Sequence, residues 1–224
     1  MSFPSRKLSD IPSTGDGTAN YAKEDSANSI IEFQSTTAKD SNGSTLIVQF
    51  KGFITEMSDK FASNWDSENV YGRMDPIGTF KNTQRTISLG WTIPAASIEE
   101  AKSNFKAIRS LTAMLYPGYS ANPTNISGRE AYTTANSLSK PPLIRLRYTN
   151  LIANEENKGL LGWVDGFDIT PTLDMGFFIQ SGKQFPKVYT MSCNFNVLHE
   201  HDLGFNSSGT WLGNKPGKFP FGGE

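Results

Sequence analysis

The sequence predicts a mainly β fold with one main α-helix, and three observations carry that prediction. Arg85, Ile87, Leu89, Trp91 and Ile93 alternate with Thr86, Ser88, Gly90 and Thr92; Tyr189, Met191, Cys193, Phe195 and Val197 alternate in the same way with Thr190, Ser192, Asn194 and Asn196. A period of two over this length is the pattern of a strand with one buried face. Thr45–Ile54 is dense in β-branched and aromatic residues, which fit a pleated surface. Only Ser97–Tyr116 repeats apolar residues at spacings of three and four.

Taken in order, residues 1–44 are rich in Ser, Thr, Asp, Asn and Gly and read as an N-terminal arm, with one apolar patch at Ile30, Ile31 and Phe33. Such a composition buries too little surface to offset its own ordering entropy. Thr45–Ile54 is the first expected strand, and Gly52 inside it signals a bulge or a close backbone approach. Ser58–Tyr71 reads as a loop closing into a short strand, and Asp75-Pro76 as a turn. Arg85–Ile93 is the second strand. In the helix, Ser97 and Glu100 form a capping box. Ile98, Ala101, Phe105, Ile108 and Leu115 make its apolar stripe, with Leu111 beside it, and Tyr116-Pro117-Gly118 ends it.

Residues 119–141 form a polar loop long enough to suggest an interface or functional role. Leu143–Tyr148 and Gly159–Ile169 are expected to pair as a hairpin across a loop at Asn154–Lys158. Met175–Ile179 and Lys187–Leu198 are the last strands. Residues 206–224 read as a C-terminal arm whose aromatics, Trp211, Phe219 and Phe221, suit docking on a partner.

Composition narrows the function classes. A net charge of −1 and a sequence pI of about 6.2 give no basic footprint for nucleic-acid binding. Cys193 is the single cysteine, so no internal disulfide forms, which fits a reducing cytosol. No apolar run follows Met1–Lys7, so no signal peptide is expected, and no stretch is long and apolar enough for a membrane helix. The reading is of a soluble chain made inside a cell.

The chemistry-bearing residues each have a plainer alternative. His199 and His201 point the same way in an extended strand, as a metal chelate requires, but a third ligand has to come from elsewhere; a polar strand end is the alternative. Asp165 and Asp168 resemble a glycosidase carboxylate pair, or simply acidic residues at a strand end. Cys193 sits on the apolar face and is expected to be an inert buried thiol. Arg145 and Arg147 share a strand face and are expected to form bidentate contacts with a partner's carboxylates. Phosphate-loop, nucleophile-elbow and zincin motifs are absent from the sequence. The expectation is no enzyme, no catalytic or metal site and no cofactor.

The element order and local wording resemble the tail-tube family of contractile-tailed bacteriophages, most closely baseplate tube-initiator subunits. The residues that carry the resemblance are Phe50–Ile54, Val70–Ile77, Arg85–Ile93, the Ser97–Tyr116 helix, Gly159–Gly166 and Phe185–His199. It covers residues 45–205. It implies two packed antiparallel sheets with a flanking helix and extended arms. It also implies a homohexameric ring joining baseplate hub and tail tube proteins in the virion, with DNA passing through the lumen without specific binding. The alternatives are an ordinary tail tube or tail terminator subunit and, in other classes, a monomeric β-sandwich carbohydrate-binding module or a hydrolase using His199, His201 and an Asp.

Overall fold

The computed structural model describes residues 30–40, 42–119, 138–149, 151–154 and 158–213. Residues 1–29 of the expected N-terminal arm, most of the 119–141 loop and the end of the C-terminal arm lie outside the described residues. In chain order the elements are β1 (Ile30–Lys39), β2 (Thr45–Lys51), β3 (Phe53–Glu68), β4 (Ile77–Pro94) and α1 (Ile98–Ala113). They continue with β5 (Gly118–Tyr119), β6 (Leu138–Lys140), β7 (Ile144–Tyr148), β8 (Leu160–Pro171), β9 (Phe177–Gln180), β10 (Lys183–Pro186) and β11 (Val188–Val197). The fold is mainly β with one helix among the described residues, as the period-two segments predict. Those two segments lie in β4 and β11, whereas Thr45–Ile54, expected as one strand, divides at Gly52 into β2 and the start of β3. The expected hairpin forms between β7 and β8, with Ile144 opposite Gly162.

Seven strands form one antiparallel sheet in the order β2-β1-β7-β8-β11-β4-β3, and β5–β6 and β9–β10 are separate two-stranded pairs. The resemblance implied two packed sheets. The structure has one sheet that rolls over on itself, and the chain path shows why. β2 and β3 occupy opposite edges of the sheet, yet only Gly52 separates them in sequence. Six strand spacings of ~4.8 Å would hold the edges of a flat sheet ~29 Å apart, a span that one residue cannot bridge. Rolling brings the edges together at Gly52, whose backbone lies against Trp91; a Cβ there would stand 2.9 Å from Trp91 Cδ1. The close approach expected at Gly52 is therefore present. Inside the roll, Phe33, Phe50 and Trp91 meet as one aromatic cluster.

Two further stretches differ from the sequence expectation. Residues 30–39, assigned to the N-terminal arm, form β1, which is bonded on both sides, to β2 and to β7. Ile31, Phe33 and Ser35 point inward and are buried, so the patch noted at Ile30–Phe33 belongs to the core. The stretch Ser58–Tyr71, expected as a loop closing into a short strand, lies largely in β3. β3 has 16 residues and β4 has 18, and they pair from Phe53↔Thr92 to Glu68↔Ile77 with register shifts between Ile54 and Glu56 and between Asn64 and Trp65. The outer part of this hairpin is exposed on both faces, so its sequence has no apolar alternation from which to read a strand.

The helix follows its capping chemistry. Ser97 is extended and its hydroxyl accepts from the Glu100 N–H at 3.2 Å, while the Glu100 carboxylate accepts from the Ala96 N–H at 2.8 Å. The helix ends at Ala113, and Met114 to Tyr116 close it with tighter i−3 hydrogen bonds. Ala101, Ile108, Leu111 and Met114 face the core. Phe105 does not: it is 51% exposed and stands edge-on to Phe185 at 6.0 Å. At ~100° per residue, Leu111 and Met114 lie on one side of Ala101 and Phe105 lies on the other. The buried arc is centred away from Phe105.

Candidate interaction surface

The structure separates the chemistry-bearing residues into three places. At the end of β11, Glu200 accepts a two-point contact from Arg145 of β7, at 2.7 Å to Nη1 and 2.5 Å to Nη2. The bidentate carboxylate contact expected of Arg145 is thus made within the chain. Arg147 stands opposite Glu32 of β1. Hydrogen bonding from Arg145 holds the Glu200 carboxyl below the usual carboxylate range. His199 titrates below the ordinary imidazole range because it is partly desolvated, with the charges of Arg85 and His201 adding to the effect. Among the described residues, no group of three His, Cys, Asp or Glu is arranged to hold a metal ion.

On the exposed face of the sheet, Asp165 and Asp168 of β8 are tied to β11 and line one open hollow together with Glu56, Ser88 and Asn194. Asn196 donates to Asp165 at 2.8 Å and Ser192 donates to Asp168 at 3.4 Å. Thr86 and Ser88 of β4 extend this ladder to Asn196 and Asn194 at 3.0 and 2.7 Å. The polar half of each period-two pattern forms the ladder and the apolar half forms the core. Cys193 is among the apolar half. Burial pushes its thiol up to about 12, which keeps it in the protonated form near neutral pH.

The third place is one that sequence reading missed. Beyond Arg85, β3 and β4 leave the core as a two-stranded ribbon. Its root is an ion pair with side chains only 3% and 8% exposed: Arg85 Nε and Nη2 reach the two oxygens of Asp59 at 3.0 and 2.7 Å. Phe61 packs on the Arg85 guanidinium, 5.3 Å from its ring centre. Further out, Asn64 donates to Asn82 at 2.8 Å, and Trp65 stacks edge-on to Phe80 at 5.2 Å. Phe61, Trp65, Ile77 and Phe80 are all exposed, and Tyr71 and Met74 at the turn are fully so. The available signal was Trp65, Thr79, Phe80 and Thr83, residue types that suit a strand without marking a buried face.

A two-stranded ribbon is marginally stable in water by itself. A row of exposed aromatics along it is the kind of surface that marks a protein contact. Among the described residues no helix is long and apolar enough to cross a membrane. In comparison with known proteins, no family model matches the chain and no curated protein matches it.

Proposed function

We propose that this chain is a structural virion protein of a contractile-tailed bacteriophage. It forms a homohexameric ring at the junction of baseplate and tail tube, starts tube assembly there and continues the DNA channel. The observation that carries this reading is the ribbon of β3 and β4, an arm rooted in a buried ion pair whose exposed aromatics suit a contact with another chain. The resemblance to tail-tube proteins over residues 45–205 supplies the rest. Ring closure with neighbouring copies also covers the long edge strand β3, which otherwise invites uncontrolled pairing.

The polar ladder of β8, β11 and β4 supports a channel role. Its exposed residues are Asn, Ser, Thr and Asp with Trp163, and from Thr86 to Thr92, Trp163 to Thr170 and Thr190 to Asn196 it has no Lys or Arg. Such a face offers a passing polyanion no counter-charge to hold it. Baseplate hub and tail tube proteins are the neighbouring partners, and an ordinary tube or terminator subunit is the closest variant of the same reading.

The test is the mass of the purified chain by light scattering, with electron microscopy of any rings. Sixfold rings support the proposal, and labelled antibody bound at one end of the tail fixes the ring's position. A stable monomer overturns it. Trp163, which shares the exposed face with Asp165, then favours a carbohydrate-binding module, and glycan screening is the next measurement.

A further inference from the structure

Resting on the self-assembly reading, we infer that the ribbon of one copy docks on the β9–β10 hairpin of the next, in a head-to-tail contact. The first observation is the placement of the two apolar patches. β4 begins at Ile77, at the ribbon turn, and ends at Pro94, which pairs with Val188 immediately after β10. At ~3.3 Å per residue these ends are ~55 Å apart. A straight ribbon therefore points away from its own β9–β10 hairpin and presents its aromatics to a different molecule.

The second observation is that the β9–β10 end has an unused apolar face. Phe178 and Phe185 are paired across the hairpin, and Phe185 meets Phe105 of α1 at 6.0 Å, so this side is turned to the helix. Ile179 pairs with Gln184 and therefore lies on the opposite side, 71% exposed. Leu173 and Met175, in the turn that precedes β9, are exposed as well. Large apolar side chains are exposed to a similar degree on the ribbon, at the short Phe205–Trp211 turn and around the β5–β6 pair, at Tyr116, Tyr119 and Leu138.

The third observation is charge. The ribbon beyond Phe61 has Asp66, Glu68 and Asp75 against Arg73 and Lys81, an excess of negative charge. The β9–β10 segment has Lys183 and Lys187 against Asp174, an excess of positive charge. Opposite signs favour this pairing over ribbon on ribbon. Two different patches meeting head to tail make a heterologous contact, which closes into a ring or continues as a filament.

The test uses full-length chains and complementary variants. Trp65→Asp spoils the ribbon and Ile179→Asp spoils the hairpin, both at exposed positions, and thermal melts verify that each still folds. Each variant alone is expected to need a concentration about tenfold or more higher to associate. A 1:1 mixture retains one intact contact per pair and is expected to give dimers of twice the 24.6 kDa chain mass at the wild-type concentration. Wild-type assembly by the Ile179→Asp chain, or a mixture that fails to pair, overturns the head-to-tail contact while leaving self-assembly standing. A wild-type chain that remains monomeric at every concentration overturns both.

Discussion

The ring centres of Phe33 and Trp91 lie 5.6 Å apart, although β1 and β4 are separated in the sheet by β7, β8 and β11. Four strand spacings amount to ~19 Å in a flat sheet, so this contact exists only because the sheet is rolled. Trp91 also touches Phe50 of the edge strand β2, at 6.1 Å, and Gly52 at the corner. One indole therefore joins β1, β2 and the chain's crossing point from the far side of the sheet. Trp91→Ala is expected to cost ~3–5 kcal/mol, and Gly52→Ala ~1–3 kcal/mol because the new methyl forces Trp91 to move. Urea denaturation checks both, and a Gly52→Ala chain as stable as wild type would show that the corner is slack.

The Asp59–Arg85 pair sets the root of the ribbon. Breaking a buried pair leaves an uncompensated charge, so Asp59→Ala is expected to cost ~3–5 kcal/mol. Replacing both residues with Met is expected to restore most of that stability. The two effects separate if the pair also aims the ribbon: the double variant then folds well but assembles poorly. Equal denaturation midpoints for Asp59→Ala and wild type would mean that the pair is solvated in solution.

Legibility from sequence followed burial. Strands with one face in the core, such as Arg85–Ile93 and the stretch around Cys193, announced themselves by alternation, and the helix did so by Ser97 and Glu100. β1 has the same alternation at Ile31, Phe33 and Ser35, but Ser35 is polar and the run is short, so the polar segment around it hid the strand. The ribbon was illegible for a different reason. Its outer residues face solvent on both sides, and without a buried face period two has nothing to display. The candidate contact surface was hidden with it, since strands that are to be covered only by another molecule leave no core pattern in their own chain. The partner of Arg145 was also unreadable, because Glu200 is 55 residues away in sequence.

The helix provides a paired comparison. Leu111 is fully buried and Phe105 half exposed, although the sequence stripe ran through Phe105 and left Leu111 beside it. Leu111→Ala is expected to cost ~2–5 kcal/mol. Phe105→Ala loses one edge-on contact with Phe185, worth ~0.5–1.5 kcal/mol with the area it covers. Thermal melts of the two variants side by side decide the point, and a larger loss at Phe105 would place the core on the wrong side of α1.

Cys193 reports on the same core from within. With its thiol pushed up to about 12 by burial, the folded chain is expected to react far more slowly with a thiol reagent at pH 8 than the urea-unfolded chain. Equal rates would mean that β11 opens readily.

His199 makes a prediction about acid. In the folded chain, partial desolvation and the nearby charges of Arg85 and His201 resist its protonation. In the unfolded chain it titrates near its ordinary value of ~6.5. Below that pH the unfolded state binds a proton that the folded state refuses, so stability is lost as pH falls from ~6.5 through the lowered folded value. Glu200 acts in the same direction but only in stronger acid, because its own range lies below that of an ordinary carboxylate. The two are separable by pH. Between pH 7.5 and 5.5 the urea midpoint of the wild type is expected to fall, and His199→Gln is expected to flatten that slope while leaving the loss below pH 4.5 in place. An unchanged slope in the His199→Gln chain would assign the acid sensitivity to other groups and leave the Arg145–Glu200 contact as the acid-labile link at the end of β11.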